Sequence, residues 1–286
     1  MSATATARNL MRNFQEARQK KSLYARVKEF RGFVPLKYET DDFLVTTAQS
    51  GPELLKVLEL RHEVFIEEWQ GRKAFHGLDV DSYDFAADHL TIIDKRVGEV
   101  VGTYRLLSSH FTHDFYSASE FDVDAFVRKP AVKLEMGRAC VRSDYRDGNT
   151  IDLLWKGLTR YIFLTKTDFL FGCASIKSTD PLAVGRAYRT LRDQGSWTDD
   201  FAVRATWDYQ FQGFSMLSEE GLSNDEKREM IPALLRSYLL AGARVHGWPA
   251  LDRDFACTDL LTILDWKTLN PRFQSRYMVK ESCEPS

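Results

Sequence analysis

Cysteine is scarce in this sequence. There are four in 286 residues, Cys140, Cys173, Cys257 and Cys283, and no two fall at the spacing of paired metal ligands. An excess of either charge is missing too. Thirty-nine Lys and Arg against 41 Asp and Glu leave a net charge of −2, which argues against a nucleic-acid binder, whose surface should be strongly basic. No apolar run reaches the length of a membrane span, and the opening MSATATARNLMRN has no signal-peptide core. The expected compartment is therefore the reducing cytoplasm. Internal repeats and low-complexity tracts are absent as well. What is present, 44% hydrophobic, 28% charged and 13% aromatic residues, describes a globular chain with an ample core, long enough for one large domain or two small ones.

The most informative stretch runs from Val132 to Ile176. Val132, Leu134 and Met136 alternate with Lys133 and Glu135, as in a strand with one buried face. After Gly137 the apolar phase moves to odd positions, Ala139 and Val141. A phase flip inside a strand signals one extra residue, a β-bulge, expected at Gly137. Ile151, Leu154, Trp155, Leu158 and Ile162 then follow helical spacing, with Thr150 expected as N-cap. Phe169 to Ile176 is an apolar run of strand length. A kinked strand feeding a helix N-terminus makes an anion site, because unpaired N–H groups and the helix dipole converge there.

Upstream, Arg8 to Arg31 carries eight Lys/Arg against two Glu, with Leu23, Val27 and Phe30 at helical spacing. One reading packs this helix on the domain; the other attaches it to an anionic membrane or an acidic partner. Residues 1–35 are thus expected as a basic amphipathic segment and 36–286 as a single domain. A strand is expected over Asp42 to Thr47, then a helix with Leu54, Val57, Leu58, Val64 and Phe65 on one face. Arg61 lies within that face, which is odd for a purely structural helix. The following loop carries Asp79, Asp81, Asp84 and Asp88, without the spacing of a calcium loop, so no metal is expected. His89 to Ile93 and Gly98 to Leu107 read as strands. Pro181 to Gly195 reads as a helix with Arg186, Arg189 and Arg192 at steps of three, Ile231 to Ala243 as another, and CTDLLTIL as a final strand.

This order reads as an α/β fold of the GNAT N-acyltransferase type, a mixed central sheet with a bulged strand flanked by helices. The blocks LRHEVFIEE, DHLTIIDKRVGEVVGTYRLL, FYSASEFD, LEMGRACVRSDYR, LLWKGLTRYIF and FGCASI resemble the acyl carrier protein-dependent L-ornithine N-acyltransferases. So does the late segment PALLRSYLLAGARVHGWPALDRDFACTDLLTIL. Acyl-homoserine lactone synthases and N-acyl amino acid synthases are more distant relatives of the same build.

The resemblance implies transfer of a (3-hydroxy) fatty acyl chain from the phosphopantetheine of an acyl carrier protein to the α-amino group of ornithine, with no bound cofactor. Glu135 and Arg138 are then the catalytic candidates, Glu135 as general base, directly or through water. The alternative for Glu135 is a structural pair with Arg138 or Lys133. N–H groups freed by the bulge would receive the thioester carbonyl. Arg61 and Arg105 are candidates for the amino acid's carboxylate, or else structural partners of the acidic loop. Asp81 and Asp84 would hold the substrate's cationic end or order the loop. Arg142, Arg146, Gly148, Asn149 and Thr150 would hold the acyl donor. Coenzyme A enzymes of this fold carry a glycine-rich loop here, whereas Tyr145 stands at its first glycine position, so a carrier-borne phosphodiester fits better than a diphosphate. Two competing readings are an N-acyl amino acid or acyl-homoserine lactone synthase and a non-catalytic membrane-binding or lytic protein. The expected location is cytoplasmic, with peripheral attachment to the inner membrane face as an extension.

Overall fold

The computed structural model describes residues 21–72, 77–215 and 220–277. In chain order the strands are β1 (Lys37–Glu39), β2 (Phe43–Thr47), β3 (Asp88–Asp94), β4 (Glu99–Ser108), β5 (Phe121–Asp122), β6 (Lys133–Val141), β7 (Phe169–Ile176), β8 (Trp197–Thr198), β9 (Arg204–Ala205), β10 (Arg244–His246), β11 (Ala250–Asp252) and β12 (Cys257–Asp265). The α-helices are α1 (21–29), α2 (Gly51–Arg61), α3 (Ser117–Glu120), α4 (Asp124–Val127), α5 (Asn149–Thr165), α6 (Pro181–Asp193), α7 (Asn224–Met230), α8 (Ala233–Ala241) and α9 (Pro271–Tyr277). Two compact units emerge, Met1–Arg105 with Arg138–Leu158, and Leu106–Gly137 with Thr159–Ser286. Both β4 and β6 run across the boundary, so each unit takes one half of each strand.

In the first unit the strand order is β1-β2-β3-β4-β6, and β1, β2 and β3 are mutually antiparallel. The sequence pattern missed β1, a three-residue edge strand too short to show a period. Helix α2 starts at a capping box: Ser50 caps, and Glu53 takes the N–H groups of Gln49 at 2.6 Å and Ser50 at 3.1 Å. Its Leu54, Val57 and Leu58 are fully buried. Each contributes roughly 2 kcal/mol by burial, more than the cap can, so packing decides where this helix sits. Val27 and Phe30 of the N-terminal segment join Leu54, Leu58 and Leu78 in one cluster, so this part of the basic helix packs its apolar face on the domain. Residues 1–20 of the same segment lie outside the described residues. From His62 to Trp69 the helix continues with π-type winding. Helix α5 approaches the sheet closely because two glycines allow it. A Cβ on Gly102 would meet Thr150 at 2.8 Å, and one on Gly157 would meet Val45 at 2.7 Å.

In the second unit the order is β6-β7-β12-β10-β8, with β11 paired to the outer part of β12. Strands β7 and β12 pair antiparallel over their whole lengths, Phe169 opposite Asp265 to Ile176 opposite Thr258. Helix α6 lays Val184, Ala187, Tyr188 and Leu191 against Ala174, Ile176, Val245 and Leu260. Its N-cap is Asp180, whose carboxylate accepts the N–H of Leu182 at 3.1 Å. The helix expected over Ile231 to Ala243 is shorter, Ala233–Ala241. Pro232 is its N-cap, Gly242 ends it at φ 112°, and the separate α7 precedes it. Among the described residues no helix is long and apolar enough to cross a membrane.

Candidate active site

The phase flip seen in the sequence is a real break in β6, displaced by one residue. The left-handed position is Arg138, at φ 48°, not Gly137. A side chain in that region is disfavoured by roughly 1–2 kcal/mol, and the ion pairs of Arg138 described below offset it. Parallel pairing of β6 with β7 covers only Lys133, Leu134 and Glu135, opposite Phe169, Leu170 and Phe171. Beyond that point Gly172 of β7 lies against Met136, whose carbonyl oxygen would sit 2.2 Å from a Cβ there. The regular ladder between β6 and β7 therefore ends after Glu135, while the two backbones stay in contact at Met136 and Gly172.

Glu135 is buried, and its partners come from the first turn of α3. One oxygen accepts the N–H of Tyr116 at 2.7 Å; the other accepts the N–H of Ser117 at 2.6 Å and a short hydrogen bond from the Ser117 hydroxyl. The thiol of Cys173 donates to that hydroxyl at 3.5 Å. Lys133, the alternative partner, donates instead to the carbonyls of Lys129 and Ala131. Its pKa is lowered by burial and then by nearby Lys129.

In the first unit the acidic loop closes over three arginines. Arg61 is fully buried. Its Nε donates to Asp79 at 2.8 Å, and its two terminal nitrogens donate to Asp84 at 2.6 and 3.2 Å. Arg105 donates to both oxygens of Asp81 at 2.7 Å and to Asp84 at 3.3 Å. Arg138 approaches Asp79 at 3.5 Å and Asp81 at 3.6 Å, with its side chain 16% exposed. Asp81 caps the short 3-10 turn Ser82–Phe85, and Asp84 closes the reciprocal bond. Burial works against the charge of Asp84, but Arg61 and then Arg105 hold its pKa well below the usual range. His89, buried beneath the loop, donates from Nε2–H to the Asp84 carbonyl at 2.9 Å, and burial pushes its pKa down to about 4. Thus Arg61, Asp79, Asp81, Asp84, Arg105 and Arg138 form one network, three arginines against three aspartates. Arg61 and Arg105 serve in it as partners of the loop, and Arg138 is the arginine that reaches solvent.

The loop before α5 is also paired. Arg142 bonds Glu99 and, at 2.8 Å, Asp144; Arg146 bonds Glu68. Tyr145 donates its hydroxyl to Asp94 at 2.8 Å. Gly148 adopts φ 92°, and α5 begins at Asn149, one residue before the expected cap, with the Asn149 N–H taken by Asp147 at 2.9 Å. Thr150 is consequently inside the first turn and buried against Gly102. The arginine pairs here are exposed, and such pairs contribute at most about 1 kcal/mol, so a phosphate can compete for them.

A second acidic group, in the unit that holds Glu135, escaped the sequence reading. Asp252 ends β11 opposite Cys257, and Asp259 follows on the same face of β12. Ligand-type atoms of these three lie within 4.8 Å of one another. Glu120, at the end of α3, faces Asp259 and the Tyr116 hydroxyl and is fully buried. Burial and then the Asp259 carboxylate push its pKa up to about 9, with the Tyr116 hydroxyl acting in the opposite direction. The available cue was an aspartate at an inward position of an apolar strand, CTDLLTIL.

Residues 60–156 match the acetyltransferase (GNAT) domain model. Over 82% of its length the chain is 33% identical to the L-ornithine N(alpha)-acyltransferase of Brucella abortus, covering 88% of that protein. It is 31% identical to the enzyme of the same name from Agrobacterium fabrum, over 80% of this chain and 83% of the other. A solved CoA-dependent acyl-homoserine lactone synthase is 18% identical, covers 78% of each chain and superposes with a TM-score of 0.43.

Proposed function

The chain belongs to the L-ornithine N(alpha)-acyltransferase family and is an acyltransferase of the GNAT type, and from that premise we propose that it moves a fatty acyl chain from acyl carrier protein to the α-amino group of ornithine. The observation that carries the site assignment is the break in β6 immediately after a buried glutamate that α3 holds in place.

In this reading Glu135 takes a proton from the α-ammonium through a water or directly, leaving a neutral amine. The amine attacks the thioester carbon, and the carbonyl oxygen becomes an oxyanion facing the backbone N–H groups that β6 withdraws from β7. Collapse forms the amide, breaks the C–S bond and releases the pantetheine thiolate, which picks up a proton. Arg138 is our candidate for the acceptor's carboxylate, a choice supported by its being the partly exposed arginine of the loop network. Arg142, Arg146 and the first turn of α5, Gly148 to Thr150, receive the phosphodiester of the donor, exchanging their carboxylate partners for it. Arg186 and Arg189, half-buried and paired to Glu226 and Asp193, line α6 with Arg192 as a docking face for an acidic carrier. The protein then works in the cytoplasm, at the inner membrane face.

Purified protein supplied with acyl carrier protein thioester and ornithine should release thiol and form the α-amide. A kcat/KM higher for the carrier than for the matching acyl coenzyme A, and falling with added salt, is expected from docking between exposed charges. Equal use of both donors without salt dependence removes the carrier assignment. No amide with ornithine or any other amino acid removes the function.

A further inference from the structure

One end of the sheet in the second unit carries apolar side chains that the core does not use. Phe169 opens β7 opposite Asp265, the last residue of β12, so both strands reach this end together. Helix α5 finishes here, since the Val132 carbonyl before β6 accepts the N–H groups of Asp168 and Phe169 at 2.8 and 3.1 Å. The turn after β4 joins them: His110 donates from Nε2 to the carbonyl of Thr165, the last residue of α5, at 2.8 Å. Tyr161 and Ile162 of α5 are buried, but Phe163 and Leu164 on its outer side are 68% and 54% exposed. Phe111, next to His110, is 41% exposed. Single exposed apolar residues are ordinary, whereas three gathered on one rim from distant parts of the chain mark an interaction surface.

We propose that this rim docks on an anionic lipid surface, with Phe111, Phe163 and Leu164 entering the acyl-chain boundary and Lys129, Lys166 and Lys267 meeting the phosphates. The proposal rests on the membrane placement above and on no assignment of donor or acceptor. Its second ground is charge. The segments 129–133, 159–169 and 265–277, which meet here, hold seven Lys and Arg against Asp168 and Asp265, in a chain whose net charge is −2. The turn after β4 adds Asp114. Asp168 bonds Lys267 at 3.0 Å and accepts the Val132 N–H at 2.9 Å, and Asp265 accepts the Lys267 N–H at 2.9 Å. Lys129, Lys166 and Lys267 are all exposed, and Lys129 holds its ammonium 4.5 Å from the Phe169 ring at the start of β7. A basic rim alone would also suit an acidic carrier protein. The exposed rings decide for lipid, because they gain by leaving water for the acyl boundary while the lysines stay at the headgroups. A second copy of this chain, docked face to face, would set the same lysines against one another.

The test is co-sedimentation of the full chain, without substrates, with vesicles of mixed phosphatidylglycerol and phosphatidylcholine or of phosphatidylcholine alone. Wild type should prefer the anionic vesicles and come off them as salt rises. Phe163→Ser combined with Leu164→Ser should lower the partition coefficient roughly tenfold or more, the loss of two apolar side chains from the boundary. Lys129→Glu combined with Lys166→Glu should lower it by at least about fivefold for each residue. All four positions are exposed, so melting curves close to wild type are expected, and either folded pair suffices for the test. Unchanged partition in a folded pair overturns this face and leaves the membrane placement to another segment. Equal binding of wild type to neutral vesicles also overturns it. Wild type that binds neither kind of vesicle removes the placement and the face together. Variants that keep their vesicle binding but lose a dimer seen by ultracentrifugation, or lose affinity for acyl carrier protein, give the face to that partner and overturn the proposal.

Discussion

Gly172 and the carbonyl oxygen of Met136 stand so close that no side chain fits between the strands that carry them; a Cβ on Gly172 would lie 2.2 Å from that oxygen. The ladder between β6 and β7 thus ends at a close backbone contact that only a glycine at position 172 allows.

Gly172→Ala should therefore force Met136, and with it the adjacent Glu135, to move. Overpacking of this kind costs about 1–3 kcal/mol, and turnover should fall together with stability. A variant that melts and turns over like wild type would show that the close approach is unimportant.

Glu135→Gln should lower kcat by about 10²–10⁴, the range for a lost general base. It should also lose about 1–3 kcal/mol of stability. The amide presents an NH₂ where the carboxylate took hydrogen bonds from Tyr116 and Ser117, leaving a buried donor unmet. Full activity in this variant would falsify the assignment of the base.

Arg61→Met strips Asp79 and Asp84 of their buried partner. Breaking such a pair costs about 3–5 kcal/mol, against at most about 1 kcal/mol for Arg142→Met or Arg146→Met, whose pairs are exposed. Urea titrations of the three variants should separate cleanly; an Arg61 variant as stable as the other two contradicts the network described here.

Glu120 gives a pH dependence whose sign is fixed. Its pKa is about 9 folded against an ordinary 4.5, so the folded chain binds the extra proton between those values. Stability should drop by about 1.4 kcal/mol per unit as pH rises through that window. Asp259, Asp252, Tyr116, Tyr209, Cys173 and Cys257 are the titratable groups that face or sense it. His89 and His246, both pushed down to about 4 by burial, act oppositely, losing stability as pH falls from 6.5 toward 4. The difference between Glu120→Gln and wild type isolates the glutamate. Guanidinium titrations at pH 5, 7 and 9 giving parallel curves for the two would refute its buried, proton-bearing state.

Periodicity made the buried elements legible. β7 matches the apolar run Phe169 to Ile176 residue for residue, and α6 follows its Val184, Ala187, Tyr188, Leu191 stripe. Elements of two or three residues, such as β1, β8 and β11, carry no period and were invisible. The site was partly legible for the same reason. The flip around Gly137 is a local signal, so the break was found, but its left-handed residue is chosen by ion pairs to Asp79 and Asp81 that lie far away in sequence. The buried acidic group of Glu120, Asp252 and Asp259 joins elements more distant still, and nothing local to any one of them announces the others.

The wide winding from His62 to Trp69 sets the rotational phase of everything that follows it. A π-type turn holds about one residue more than an α-turn, so the segment acts as a spacer that lets Arg61 point into the interior while Glu68 swings out to grip Arg146. Removing any single residue between 62 and 69 would let the segment relax to ordinary α-geometry and gain regularity. It would nearly keep the phase of Glu68, because the residue removed is the extra one that the wide turn holds. A shortened chain that folds well and keeps Glu68 on Arg146, read as unchanged amide exchange around Arg146, is the signature to seek.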